Sequence, residues 1–156
     1  MKGNPKVIAA LNDALKEELS AINQYFIHAE MCENWHYGYL AAHIKKESID
    51  EMKHAEALIE RILFLDGTPH MTETLKINVG ANVKEQLASD LKLELDAVAM
   101  YNEAVKIARD EGDNASRELF ERLLKDEEGH VDWLEAQVHQ IKEMGYERYL
   151  SQQVKE

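Results

Sequence analysis

Residues 15–25 read Leu-Lys-Glu-Glu-Leu-Ser-Ala-Ile-Asn-Gln-Tyr, and residues 91–101 read Leu-Lys-Leu-Glu-Leu-Asp-Ala-Val-Ala-Met-Tyr. The second stretch lies 76 positions after the first, as Tyr101 lies after Tyr25. The same offset carries Asp50-Glu51-Met52-Lys53-His54 onto Asp126-Glu127-Glu128-Gly129-His130. Each half of the chain therefore holds one glutamate, Glu18 or Glu94, followed 33 positions later by the first residue of a Glu-x-x-His. A third Glu-x-x-His, from Glu33 to His36, has no upstream glutamate at that spacing and reads as ordinary surface.

The apolar residues around these motifs recur at helical spacing. Val7, Leu11, Leu15, Leu19, Ile22 and Phe26 mark a first helix over about 6–35, and Leu40, Ile44, Leu58 and Ile62 a second over about 39–66. Val83, Leu87, Leu91, Leu95 and Val98 mark a third over about 82–111, and Leu119, Leu123, Leu134 and Val138 a fourth over about 114–144. Short connections at Gly38 and Gly112 make helices one and two, and three and four, antiparallel neighbours. The connection over about 67–81 is long enough to run the length of a bundle, with Leu75 and Val79 as apolar anchors, so helices two and three are parallel. A tail over about 146–154 supplies a short fifth helix. No period-two strand pattern occurs. The expected fold is all-α: one unit over residues 1–156, a four-helix bundle with a long crossover between helices two and three.

On a helix, residues three apart share a face, so Glu51 lines up with His54 and Glu127 with His130. Glu18 falls inside the apolar stripe between Leu15 and Ile22, and Glu94 between Leu91 and Val98. An ionised carboxylate there faces a large desolvation cost unless a cation or donor compensates it. Four glutamates and two histidines meeting in mid-bundle call for two divalent ions, the ligand set of di-iron and di-manganese carboxylate bundles. Carboxylate and imidazole without thiolate suit iron or manganese, and zinc binds such sets too; only iron or manganese brings redox chemistry.

Composition agrees. The chain has 156 residues, 30 acidic against 18 basic, for a net charge of −12. That length is about one domain. The lone Cys32 excludes a disulfide framework and multi-cysteine metal sites. The acidic balance argues against nucleic acid and anionic membranes as partners. No apolar run approaches the roughly 20 residues of a spanning helix, and the N-terminus lacks a signal peptide, so a cytoplasmic chain is expected.

Glu18, Glu51, His54, Glu94, Glu127 and His130, together with Tyr25, Met52 and the tail after Gly145, resemble the ferritin-like superfamily, and within it the bacterioferritins, over essentially the whole chain. The resemblance implies an iron-storing ferroxidase: a 24-subunit shell built from dimers, in which O2 or hydrogen peroxide oxidises Fe(II) at an intra-subunit di-iron centre. It makes Glu51 and Glu127 bridging ligands, and pairs Glu18 with His54 and Glu94 with His130. Met52 follows Glu51 by about 100° around the helix and points away from the metal face. It either packs a subunit interface or, as the resemblance implies, supplies an axial ligand to a haem b shared between two subunits. Leu19, Ile22, Phe26 and Ile49 would line that pocket. The haem would serve core reduction and iron release, with a small ferredoxin as partner.

Tyr25 and Tyr101 each follow a ligand glutamate by two turns and either donate hydrogen bonds at the site or fill the core; the resemblance gives Tyr25 a redox role. Asp50 and Asp126 are expected to hold the free nitrogens of the ligand histidines. Asp50 is alternatively an inner-surface iron ligand, with Lys46 standing where some bacterioferritins carry histidine. Trp35 and Trp133 read as interface or core bulk, Cys32 as packing, and His28, His43, His70 and His139 have no partners that make them ligands. Two other readings stay open: a smaller ferritin-like di-iron oxidase or peroxidase without a shell, and a haem-binding structural shell subunit.

Overall fold

The computed structural model describes residues 1–73 and 75–155, which form five helices and no strand. These are α1 (Pro5–Asn34), α2 (Gly38–Phe64), α3 (Val83–Asp110), α4 (Asn114–Met144) and α5 (Tyr146–Ser151). α1 packs on α2 and α3 on α4 as two hairpins, and α1 against α3 joins them. α5 is shorter than the expected 146–154; it lies on α4, where the buried Tyr149 hydroxyl donates to Gln137 at 2.8 Å.

The starts of α1, α3 and α4 are capped by side chains. Asn4 accepts from the Lys6 amide at 2.8 Å, Asn82 from Glu85 at 2.9 Å and Asp113 from Ser116 at 3.0 Å. Each cap satisfies an amide that has no partner within its helix. α1, α2 and α3 all end in a Schellman motif. At the end of α1, the Tyr37 amide donates to Cys32 O at 2.9 Å and the His36 amide to Glu33 O at 3.0 Å. At the end of α3, Asp113 donates to Ala108 O at 2.9 Å and Gly112 to Arg109 O at 3.1 Å. Such an ending requires one left-handed residue. Gly112 supplies it at φ 73°, but in the first hairpin the residue is His36 at φ 63°, and Gly38 instead opens α2. Asp66, at φ 57°, takes this role after α2 ahead of Gly67.

The core divides in two. One cluster contains Leu11, Leu15, Leu58, Ile62, Tyr101, Phe120 and Leu123; the other contains Cys32, Leu40, Ile44, Leu87, Leu134 and Tyr149. Along every long helix the paired Glu and His positions fall between the two clusters. The bundle is thus apolar at both ends with a buried polar band between.

The crossover runs along α1 and is held by hydrogen bonds. Asn12 donates to Thr68 O at 3.1 Å and accepts from the His70 amide at 2.8 Å. Further along, Gln24 accepts from the Asn78 amide and His28 Nε2 from the Gly80 amide, each at 3.0 Å. Val79, an expected apolar anchor, is exposed, and Leu75 is half-buried; the anchoring is polar because α1 presents amides and an imidazole along this stripe. At Gly80 a Cβ would stand 2.3 Å from the Gln86 amide nitrogen, so only glycine fits this close approach. No described helix is long and apolar enough to cross a membrane.

Candidate metal centre

Glu18 comes from the middle of α1, Glu51 and His54 from α2, Glu94 from α3, and Glu127 and His130 from α4. Their ligand-type atoms gather in two groups: Glu18, Glu51, His54 and Glu127, and Glu51, Glu94, Glu127 and His130. Glu51 and Glu127 belong to both groups. The structure thus brings the six sequence-identified residues together as two adjoining sets with two shared carboxylates.

Both histidines turn Nδ1 inward. His54 Nδ1 lies 2.9 Å from Glu127 Oε1, 3.4 Å from Glu51 Oε1 and 3.5 Å from Glu18 Oε1. His130 Nδ1 lies 3.1 Å from Glu127 Oε2, 3.2 Å from Glu51 Oε1 and 3.4 Å from Glu94 Oε1. The tyrosines cross between the halves. Tyr101, from the second repeat, donates to Glu18 Oε1 at 2.5 Å, and Tyr25, from the first, donates to Glu94 Oε1. Glu18 Oε2 and Glu94 Oε2 are buried and meet no hydrogen-bond donor, and buried Glu51 Oε1 is approached only off hydrogen-bond geometry, by the two histidine Nδ1 atoms. Buried oxygens without donors are costly in a native interior, and a cation among them removes that cost. The donor set therefore fits two hard-to-intermediate divalent ions.

The electrostatics show how these buried groups balance one another's charge. Burial, with the neighbouring carboxylates, raises the Glu18, Glu51 and Glu94 carboxyls above the usual range. Glu127 goes the other way: burial opposes it, but contacts with Glu94, His130 and His54 hold it well below. Burial would lower His54, yet Glu127 and Glu18 push it up to about 10, and His130 is raised likewise by Glu127, Glu47 and Glu51. Metal binding among these groups therefore releases protons. Burial also raises both tyrosines well above their ordinary value, so each hydroxyl keeps the proton it donates.

The outer nitrogens meet expectation at one histidine and not at the other. Asp126 holds His54, across the repeat, at 3.0 Å. Asp50 does not hold His130; it pairs with Lys46 at 2.9 Å, one turn back on the same helix. Glu47 stands there instead, with Oε2 2.6 Å from His130 Nε2 and Oε1 2.9 Å from His43. Burial works against its charge, but His130 and His43 hold the Glu47 carboxyl down at about 2. Sequence reasoning missed Glu47. The available signal was its position one turn before Glu51, about 40° away around the helix, against about 100° for Asp50. His43 also gains a role: its ring stacks on Trp133 with centroids 3.8 Å apart.

Met52 lies outside the band and is half-exposed, as are Ile49 one turn before it and Phe26 on α1. Ser48 donates to the Ile22 carbonyl at 2.9 Å, which sets the partly buried Leu19 and Ile22 beside this part of α2. An exposed thioether among large apolar side chains suits an interface or a macrocycle that covers it. Glu33 and His36 are exposed, as read, and Cys32 is fully buried. His28 is buried as well, with Nδ1 2.9 Å from Asp90.

A family model described as "Ferritin-like domain" matches residues 8–144. A protein named Bacterioferritin from Brucella melitensis is 49% identical over 149 residues, covering 96% of this chain and 92% of its own. One from Streptomyces coelicolor is 42% identical over 151 residues, covering 97% and 90%. One from Mycobacterium tuberculosis, named Bacterioferritin BfrA, is 41% identical over 152 residues, covering 97% and 96%.

Proposed function

The chain belongs to the ferritin-like family, and on that premise we propose that it stores iron and oxidises Fe(II) to Fe(III) at the buried carboxylate–histidine band. The observation that carries this reading is the convergence of the two repeat-related ligand sets around three buried carboxylate oxygens without hydrogen bonds. Glu18 and His54 would hold one ion and Glu94 and His130 the other, with Glu51 and Glu127 belonging to both groups. When bound, the iron ions supply the electrons that reduce O2 or hydrogen peroxide. The chain's own groups prepare the site. Tyr101 and Tyr25 each fix one oxygen of Glu18 and Glu94, leaving the other oxygen free to bind metal. The carboxyls and imidazoles give up protons as Fe(II) enters. Asp126 and Glu47 orient the two imidazoles from outside.

Family membership carries shell assembly and iron as substrate; the finer reading is a cytoplasmic 24-subunit shell built from dimers, in which residues 1–156 act as one unit. In that shell Met52 and its counterpart in a second subunit hold a haem b, which serves core reduction with a ferredoxin as donor. The half-exposed apolar surface around Met52 supports this.

Rapid Fe(II) oxidation by the assembled protein tests the centre. Glu18→Ala and His130→Ala are expected to slow the initial phase by more than the roughly 10–100-fold that a lost outer partner costs. An unchanged initial phase overturns the assignment. A haem absorption spectrum abolished by Met52→Leu, together with a large assembly by size-exclusion chromatography, tests the shell.

A further inference from the structure

His54 and His130 are equivalent in the repeat, yet their outer nitrogens are held in different ways. His54 Nε2 meets Asp126, whose side chain is 53% exposed. His130 Nε2 lies 2.6 Å from Glu47 Oε2, an ion-pair distance off hydrogen-bond geometry, and the Glu47 side chain is 8% exposed. Behind Glu47 stands His43, 2.9 Å from its other oxygen, and the His43 ring lies on Trp133 with only 13° between the planes. Nothing comparable backs Asp126, and at the repeat positions of His43 and Glu47 the second half carries Leu119 and Leu123.

A carboxylate behind a ligand imidazole fixes the ring and makes its inner nitrogen a better donor to metal. How well it does so depends on how well it is held. An exposed carboxylate is screened by water and salt and has rotamer freedom to lose. A buried one between two imidazoles is screened little and is already ordered. We propose that His43, clamped on Trp133, positions Glu47 behind His130 and makes the Glu94/His130 half of the centre the tighter of its two cation sites. The Glu18/His54 half is then the exchangeable one, loaded second and emptied first. His43 is a positioning residue: it reaches the metal only through Glu47 and His130. The inference rests on reading the band as a two-ion centre.

Co(II) titration of the metal-free assembled protein, followed by visible absorption and calorimetry, tests it. Two equivalents per chain are expected, the first bound at least about tenfold more tightly. His43→Leu weakens the first step about tenfold and leaves the second in place. His43→Gln, which keeps a donor for Glu47, restores most of the gap. Glu47→Gln, which leaves His43 stacked, reproduces the loss. Asp126→Ala weakens the second step alone. Equal affinities in the native protein overturn the proposal, as does a native titration curve in both His43→Leu and Glu47→Gln with helical content retained; the two-ion centre survives either result. Fewer than two equivalents of cobalt, or a titration indifferent to Glu127→Ala, overturns the two-ion reading and the proposal with it.

Discussion

The α1–α2 and α3–α4 hairpins are two versions of one device, and they agree inside and differ outside. Each contributes a glutamate from its first helix and a Glu-x-x-His from its second, and each lends a tyrosine to the other's glutamate. The requirement for charge balance among buried ligands acts on both halves equally, so both keep the same residues. Away from the ligands that requirement lapses. The first hairpin backs the opposite half's histidine with a buried glutamate beside His43, which stacks on Trp133 of the second; the second hairpin uses one exposed aspartate. The first turns on a left-handed histidine, the second on a glycine at the same repeat position.

The widest difference between the halves should show in pH dependence. In the metal-free protein His54 is raised from 6.5 to about 10, and His130 is raised too, so the folded state binds more protons than the unfolded one across that interval. By linkage, the stability these groups add is full below about pH 6.5 and is lost as pH rises towards 10. The denaturation midpoint of metal-free protein should therefore fall over this range by the equivalent of a few kcal/mol, and Zn(II) should restore it. His130→Ala should flatten the profile more than His54→Ala, because Glu47 adds to the hold on His130. Equal flattening would break the comparison. Next in size, Tyr25→Phe and Tyr101→Phe each leave a buried carboxylate oxygen without its donor, at a cost of about 1–3 kcal/mol by chemical denaturation. The two losses should match, since the crossed contacts are alike. Smallest, His36→Gly should stabilise by roughly 0.5–1 kcal/mol and Gly112→Ala destabilise by about 1 kcal/mol, because both positions are left-handed. Equal and opposite effects would mark the two turns as the same turn with different residues.

The inner agreement was legible in the sequence because an offset repeat preserves register: one offset located the six candidate ligands and both tyrosines. The outer difference was hidden for the same reason. Following the repeat from Asp126 leads to Asp50, whereas Glu47 has Leu123 as its counterpart and breaks the pattern. Helix angle, not repeat position, points to Glu47. The crossover was legible in length and direction but not in its hold. Val79 had the composition of an anchor, while Asn12, Gln24 and His28 do the anchoring through backbone amides that carry no sequence signature. The first turn has no glycine at its left-handed position: His36 takes that role, and Gly38, which marks the turn in the sequence, stands two positions further on.

The shared carboxylates have a consequence for folding kinetics. Each ligand group mixes the hairpins: the first takes three residues from α1 and α2 and one from α4, the second takes one from α2 and three from α3 and α4. Neither hairpin alone can assemble either set. Helix formation and hairpin closure use local contacts and are fast, whereas bringing the halves together closes the longest loop in the chain. A cobalt colour change during refolding would therefore clock the docking of one half against the other, a step that far-ultraviolet signals from already formed helices barely register.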